Sequence, residues 1–383
     1  MPELTSIKIG DLGNVITGKT PPSKSSEYWD GEYPFITPTD ISDDSYRVKT
    51  GRYLSLMWKK ISPRYLLPKD ASCFVCIGAT IGKVCLVDRP SFCNQQINAV
   101  VPDTSKYNSL YVFYLLNTLR EEVKNRAGGA ATPIVNKSSF SDIDIAVLPK
   151  DDQDRIADIL SIYDNLIENN NRRIAILQEI AQSLYREWFV KFRFPGHENT
   201  KFIESSLGKI PESWGVARLD DFIVLQRGFD LPKKKRNEEG DVPVYAASGI
   251  NGFHDEVKVK GPGLVTGRSG TLGVIMLVLE DFWPLNTSLW VKEFKNCSAY
   301  YGYYLLSSIG LEGYNSGAAV PTLNRNYVHG LPVISPPIDL IDEFEGYVSS
   351  DYRSIDVLKK KNEILKKQRD LLLPKLISGS IQL

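Results

Sequence analysis

At 383 residues, 42% apolar and 24% charged, the chain has the composition of a soluble globular protein with room for two domains. Its 46 Lys and Arg balance 46 Asp and Glu, so no global basic field announces nucleic acid, and any such surface must be local. The longest apolar runs, such as 274–279, are far too short to span a bilayer, and the opening MPELTSIKIG lacks a signal peptide's apolar core. A cytoplasmic protein without membrane partners is expected.

In chain order, residues 1–150 read as a mixed α/β domain. A strand–turn–strand is expected over 72–87, a helix over 110–124 and a strand over 143–148, closed by Pro149. Residues 151–192 then form one long helix, free of Gly and Pro, with acids at its start and bases near its end, as the helix dipole prefers. Its seam steps by 4 and 3 through Ile156, Leu160, Tyr163, Ile167, Asn170, Ile174, Leu177, Ala181, Leu184 and Trp188, a heptad with polar Asn170 inside it. Residues 193–214 are polar with Gly and Pro and read as a linker. A second mixed domain occupies 215–337, with strand–turn–strand at 264–279, a helix at 299–308 and a strand at 330–334. A second long helix follows at 338–374, which Pro374 should break, and 375–383 remain as a tail.

The second half repeats the first. Adding 188 to the seam positions gives Phe344, Val348, Asp351, Ile355, Leu358, Asn362, Leu365, Arg369, Leu372 and Leu376, seven of them apolar. Residues 9–22 match 219–232, with Gly18 on Gly228; Ala79-Thr80-Ile81-Gly82 matches Gly270-Thr271-Leu272-Gly273; and 129–133 matches 317–321. Two copies of a mixed domain followed by a long helix cover nearly the whole chain. If the helices run antiparallel, facing seam positions should sum to 532. That register places Asn170 opposite Asn362 and Tyr163 opposite Arg369, with Ala181 against Asp351 as the one poor match. A buried polar pair fixes register at some cost in stability.

No catalytic constellation emerges. Gly78–Lys83 has three residues between its glycines where a phosphate loop needs four, and Val84 stands where Ser or Thr would hold magnesium, so a tight turn is expected. Cys73 and Cys76 form a CxxC inside a strand-like run, where residues three apart point to opposite faces, so buried apolar cysteines are expected rather than zinc. His197, His254 and His329 are isolated in sequence. No cofactor and no metal are expected. Two basic stretches stand out. Arg47, Lys49, Arg52, Lys59, Lys60 and Arg64 alternate with aromatic residues, and Lys233, Lys234, Lys235 and Arg236 form a loop with Lys258, Lys260 and Arg268 downstream. Such runs are either solvated loop charge or phosphate contacts.

The tandem arrangement, with GATIGKVCLV, SGAAVPTLNR, the helix opening DDQDRIADIL, the linker SLGKIPESW and the ending LLLPKLISG, resembles the specificity subunit of type I restriction-modification systems. The resemblance spans essentially the whole chain. It implies α/β (α+β) target-recognition domains in tandem, joined by two long helices as an antiparallel coiled coil. It also implies double-stranded DNA as ligand, each domain reading one half of a split asymmetric site in opposite orientations. The implied partners are two adenine-methyltransferase (modification) subunits docked on the helices and restriction-translocase subunits joining that core. A self-contained adenine methyltransferase is the enzyme alternative, disfavoured by the missing cofactor motifs; a coiled-coil scaffold that does not bind DNA is the other. Cofactor binding by the isolated chain discriminates the first, and a DNA footprint of the purified complex the second. Target bases, half-site lengths and spacer are not encoded in any motif.

Overall fold

The computed structural model describes residues 4–42, 45–127, 133–317 and 320–381. The expected 129–133/317–321 match falls partly on residues 128–132 and 318–319, outside that range. The chain divides into two compact units, residues 1–172 with 359–383, and residues 173–358.

In the first unit the strands are β1 (Thr5–Lys8), β2 (Gly13–Thr17), β3 (Trp29–Ile36), β4 (Tyr53–Leu54), β5 (Ser72–Val75), β6 (Val84–Leu86), β7 (Phe92–Cys93), β8 (Ile97–Pro102) and β9 (Asp144–Val147). Short helices α1 (Leu56–Ile61), α2 (Ser109–Thr118), α3 (Arg120–Arg126) and α4 (Lys137–Ser141) accompany them, and the long α5 (Lys150–Tyr185) follows. The sheets run β2-β8-β5-β6, β4-β3-β7 and β1-β9. Strand β5 is buried on both faces: Phe74 joins the main core with Tyr111 and Phe140, while Cys73 and Val75 join a second cluster with Cys85 and Cys93. That explains its nearly continuous apolar run. The CxxC cysteines separate accordingly, Cys76 lying in the main core, where burial pushes its thiol up to about 12. Among the described residues no group of His, Cys, Asp and Glu would hold a metal. The phosphate-loop lookalike is a turn, with Gly82 at φ 94° and the Lys83 ammonium donating to the Ile41 carbonyl at 2.8 Å.

After the chain crosses 193–214, the second unit continues with β12 (Gly215–Arg218), β13 (Ile223–Arg227), β14 (Val242–Ala246), β15 (Gly249–His254), β16 (Gly263–Gly267), β17 (Ile275–Val278), β18 (Trp283–Pro284), β19 (Ser288–Phe294) and β20 (Pro332–Ser335). Its helices are α6 (Ala299–Ile309), α7 (Arg325–His329) and the start of the long α8 (Ile338–Ile377). The sheet orders β13-β19-β16-β17, β15-β14-β18 and β12-β20 reproduce those of the first unit one for one. The shared glycine has a shared cause: a Cβ on Gly18 would lie 2.2 Å from the Cys93 carbonyl oxygen, and one on Gly228 2.2 Å from that of Leu285.

Three sequence expectations change. The 193–214 linker carries secondary structure: β10 (Phe202–Ser205) and β11 (Gly208–Pro211) form a hairpin, and buried Trp214 packs edge-on or tilted against Phe189, Phe192 and Phe194. Pro374 does not end α8, which continues to Ile377, because Leu376 and Ile377 are buried in the first unit's core and hold the last turn. The end falls at Gly379, φ 67°, whose N–H reaches the Leu376 carbonyl. Helix α5 ends in a π turn, Arg186–Val190, closed by Lys191 N–H on the Arg186 carbonyl at 2.9 Å.

One histidine ties the second unit's repeat together. His329 Nε2 accepts the Leu225 N–H at 2.8 Å, which requires the neutral ring. Burial lowers its pKa, against the pull of Asp220 and aided by Arg325, Arg218 and Lys295. The unfolded chain therefore binds the proton more tightly, so the stabilisation is present above the ordinary value of about 6.5 and is lost as the pH falls through the lowered one. In urea titrations the wild type should lose more stability between pH 7.5 and 5.5 than His329→Gln, which keeps an acceptor without titrating. Equal losses would remove His329 from the pH dependence.

Candidate nucleic-acid interface

The thirteen candidate cations sort by what their side chains touch. Four are held by acceptors of their own domain. Arg47 donates to Asp70 at 2.9 Å, Arg52 to Asp40 at 3.0 Å, Arg268 to the Asn286 carbonyl at 3.3 Å, and Arg236 to Asn251 Oδ1 at 2.7 Å and the Leu231 carbonyl at 3.4 Å. These guanidiniums brace loops, because a planar fork satisfies two acceptors at once. Alternation with aromatics in the sequence does not distinguish a bracing arginine from a presented one.

Around α1 three cations rest on aromatic rings. Lys59 lies 4.8 Å from the Tyr33 centroid and donates to its hydroxyl at 2.8 Å, and Arg64 lies 4.8 Å from the Tyr65 centroid. Lys19, which the basic stretches do not include, sits over both Trp58 and Tyr65 at 5.7 and 5.6 Å. Its signal in the sequence is its position directly after the repeat glycine Gly18. Lys60 is exposed on α1. Lys49 is exposed beside a cleft of about 260 Å³ that it lines with Tyr53 and Arg89, a second cation outside the basic stretches. These rings fix the cations' stems while leaving their charge toward solvent.

In the second unit Lys233, Lys234 and Lys235 form a short exposed 3-10 turn that Arg236 anchors, and Lys260 is exposed. Lys258 lies 4.8 Å from the Trp283 centroid and pairs with Glu256.

The candidate register residues meet within the first unit. Asn170 Nδ2 donates to Asn362 Oδ1, and Asn362 Nδ2 donates to Asn171 Oδ1, both at 2.8 Å. Tyr163 is not the partner of Arg369. The buried layer uses Asp164, which pairs with Arg369 and accepts the Tyr114 hydroxyl at 2.6 Å. Likewise Tyr352, not Asp351, is buried in the second unit, its hydroxyl 3.0 Å from that of Tyr304.

One mixed α/β fold, present twice and carrying different cation-rich loops in each copy, makes this a tandem-repeat protein. The family model for the type I restriction modification DNA specificity domain matches residues 1–179 and 211–369. The MjaIX specificity subunit of Methanocaldococcus jannaschii is 27% identical, over 98% of this chain and 93% of its own. The HindI specificity subunit of Haemophilus influenzae is 30% identical over 45% of this chain and 38% of its own. The crystal structure of a type I restriction-modification S subunit from M. genitalium shares the fold, with a TM-score of 0.62 at 19% identity, covering 98% of this chain and 96% of that one. The chain belongs to the family of type I restriction-modification specificity subunits, with target recognition domains in tandem repeat.

Proposed function

We propose that this chain is the sequence-specific DNA-binding subunit of a type I restriction-modification complex acting in the cytoplasm, with catalysis left to its partners. Residues 1–150 and 215–337 are the two target-recognition domains, each reading one half of a bipartite, asymmetric double-stranded site. The helices, 151–192 and 338 onward, form an antiparallel coiled coil that sets the spacer and docks two adenine-methyltransferase subunits, to which restriction-translocase subunits add. The observation that supports this best is the repeated strand order combined with unlike loops: the same sheets in both units, but α1 and Lys19 in the first and the lysine turn in the second. A duplicated scaffold with divergent loops is how one fold reads two sequences. Two matching docking surfaces also fit the repeat, since exposed Ile176 on α5 corresponds to exposed Ile364 on α8. The test is mapping of methylated adenines in cells carrying this chain with its methyltransferase partner. A split, asymmetric motif supports the reading, and methylation without a motif removes it.

The lysine turn gives a separate expectation. Replacing Lys233, Lys234 and Lys235 by alanine should weaken binding to all duplexes alike and flatten the salt dependence by roughly 0.9 log unit for each phosphate no longer neutralised. Arg236→Ala should loosen the hairpin it braces and leave the slope less affected. Anisotropy titrations over a salt series check both, and an unchanged slope for the lysine variant returns the turn to solvated charge.

A further inference from the structure

Helix α1 presents its apolar side outward. Trp58 is 2% exposed and faces the cluster of Phe35, Leu54 and Phe92, with its ring 5.3 Å from that of Tyr28. Ser55 caps the helix by accepting the Trp58 N–H, and its hydroxyl donates to the Glu27 carbonyl at 2.6 Å. The helix is therefore fixed in place by its inner residue. At about 100° per residue Leu56 and Lys60 lie opposite Trp58, Met57 lies about 100° and Ile61 about 60° from it, so the four span one continuous arc around the outer side. Leu56, Met57 and Ile61 are 48%, 53% and 56% exposed. Three large apolar side chains on a six-residue helix, rigidly held and turned to solvent, are the reverse of ordinary amphipathic patterning.

What surrounds them selects the occupant. Lys19, Lys59, Lys60 and Arg64 lie on or beside this helix, three of them seated on Trp58, Tyr65 or Tyr33. An apolar head within a cationic rim complements a duplex groove, where phosphates flank the less polar edges and faces of the bases. Apolar side chains gain nothing from a phosphate, whereas they gain from thymine methyls and from partly opened base steps. We infer that Leu56, Met57 and Ile61 are a base-contacting head of the first recognition domain, entering a DNA groove while Lys60 and Arg64 hold the flanking phosphates. The inference rests on the DNA-binding reading above and goes beyond it by naming which residues meet bases rather than backbone. The second unit has no such helix among its described residues: its β15 leads to β16 without one. The head therefore serves one half-site only.

The experiment uses the full chain assembled with its methyltransferase partner. Its probes are a duplex bearing the site found by adenine mapping and an unrelated duplex of equal length. The variant Leu56→Gln, Met57→Gln, Ile61→Gln should bind its site about tenfold more weakly, bind the unrelated duplex as before, keep the wild-type salt slope, and lose base preference within one half-site of the methylation motif. Lys60→Ala with Arg64→Ala should do the opposite, weakening both duplexes and flattening the slope. If the triple variant fails to fold, Ile61→Gln alone is read by the same mapping. Unchanged affinity and motif overturn the inference. So does loss of the methyltransferase subunit on co-purification, which assigns the face to a protein partner. If the wild-type complex itself prefers no site, the DNA-binding reading fails first, and that result is distinct from either.

Discussion

Replacing Arg369 by alanine is expected to cost the first unit about 3–5 kcal/mol, because it leaves Asp164 buried without its counter-ion. Asp164 is 4% exposed, Arg369 pairs with one carboxylate oxygen, and the Tyr114 hydroxyl donates to the other at 2.6 Å. Burial already pushes the Asp164 carboxyl above the ordinary aspartate value, with Arg369 and the Tyr114 hydroxyl pulling the other way. A carboxyl whose folded pKa exceeds its unfolded one favours folding fully below the unfolded value, and that contribution is lost as the pH rises through the folded one. Without Arg369 the raised pKa climbs further, so the variant's deficit should be largest at neutral pH and shrink toward about pH 4. Chemical denaturation of wild type and variant across that range measures it. Asp164→Leu, Arg369→Met and Tyr114→Phe together should return stability to within roughly 1 kcal/mol of wild type, since apolar replacement of a whole buried pair is often neutral or better. A loss below about 1 kcal/mol for Arg369→Ala alone would show that the pair is solvated.

That same layer shows where the sequence is legible and where it is not. The period of the helices is plain, because most inward positions are apolar, and the Asn170–Asn362 contact follows from the period once the helices are antiparallel. Tyr163 is the more apolar of two neighbours, yet Asp164 beside it is the buried one. A buried aspartate is recognisable only through its partners, and those are 50 and 205 residues away. The second unit fills the matching position with Tyr352, and Ala181 takes the place of Arg369, so the repeat itself conceals the ion pair. Cations follow the same rule. The loop lysines 233–235 are surface charge, as their sequence suggests, but Arg47, Arg52, Arg236 and Arg268 have acceptors that only the folded chain brings near. The continuation of α8 past Pro374 is hidden for a related reason: propensity ends the helix there, and burial of Leu376 and Ile377 overrides it.

Exchanging residues 215–337 for those of a relative is expected to change one half of the methylated motif and leave the other half and the gap untouched. The expectation follows from the proposal that each domain reads its half alone. Each unit has its own sheets and its own main core, the first around Phe74, Tyr111 and Phe140, the second around Phe222, Tyr301 and Phe344. The second core also takes Tyr185, Phe189 and Phe344 from the helices outside 215–337, so the incoming segment must come from a relative with matching apolar positions against them. In the same proposal spacing is a separate variable, carried by the helices. With half-site centres about one helical turn, roughly 10 bp, apart, an unread gap of about 5–8 bp remains. Adding one heptad to each of α5 and α8, at facing layers, preserves the side-chain period and lengthens each helix by about 10.5 Å, or about 3 bp at 3.4 Å per step. The gap should widen by that amount while both halves stay as they were. Adenine mapping reads both variants in the same way. If either variant alters the two half-sites together, recognition is shared between the domains and the proposal of two independent readers is wrong.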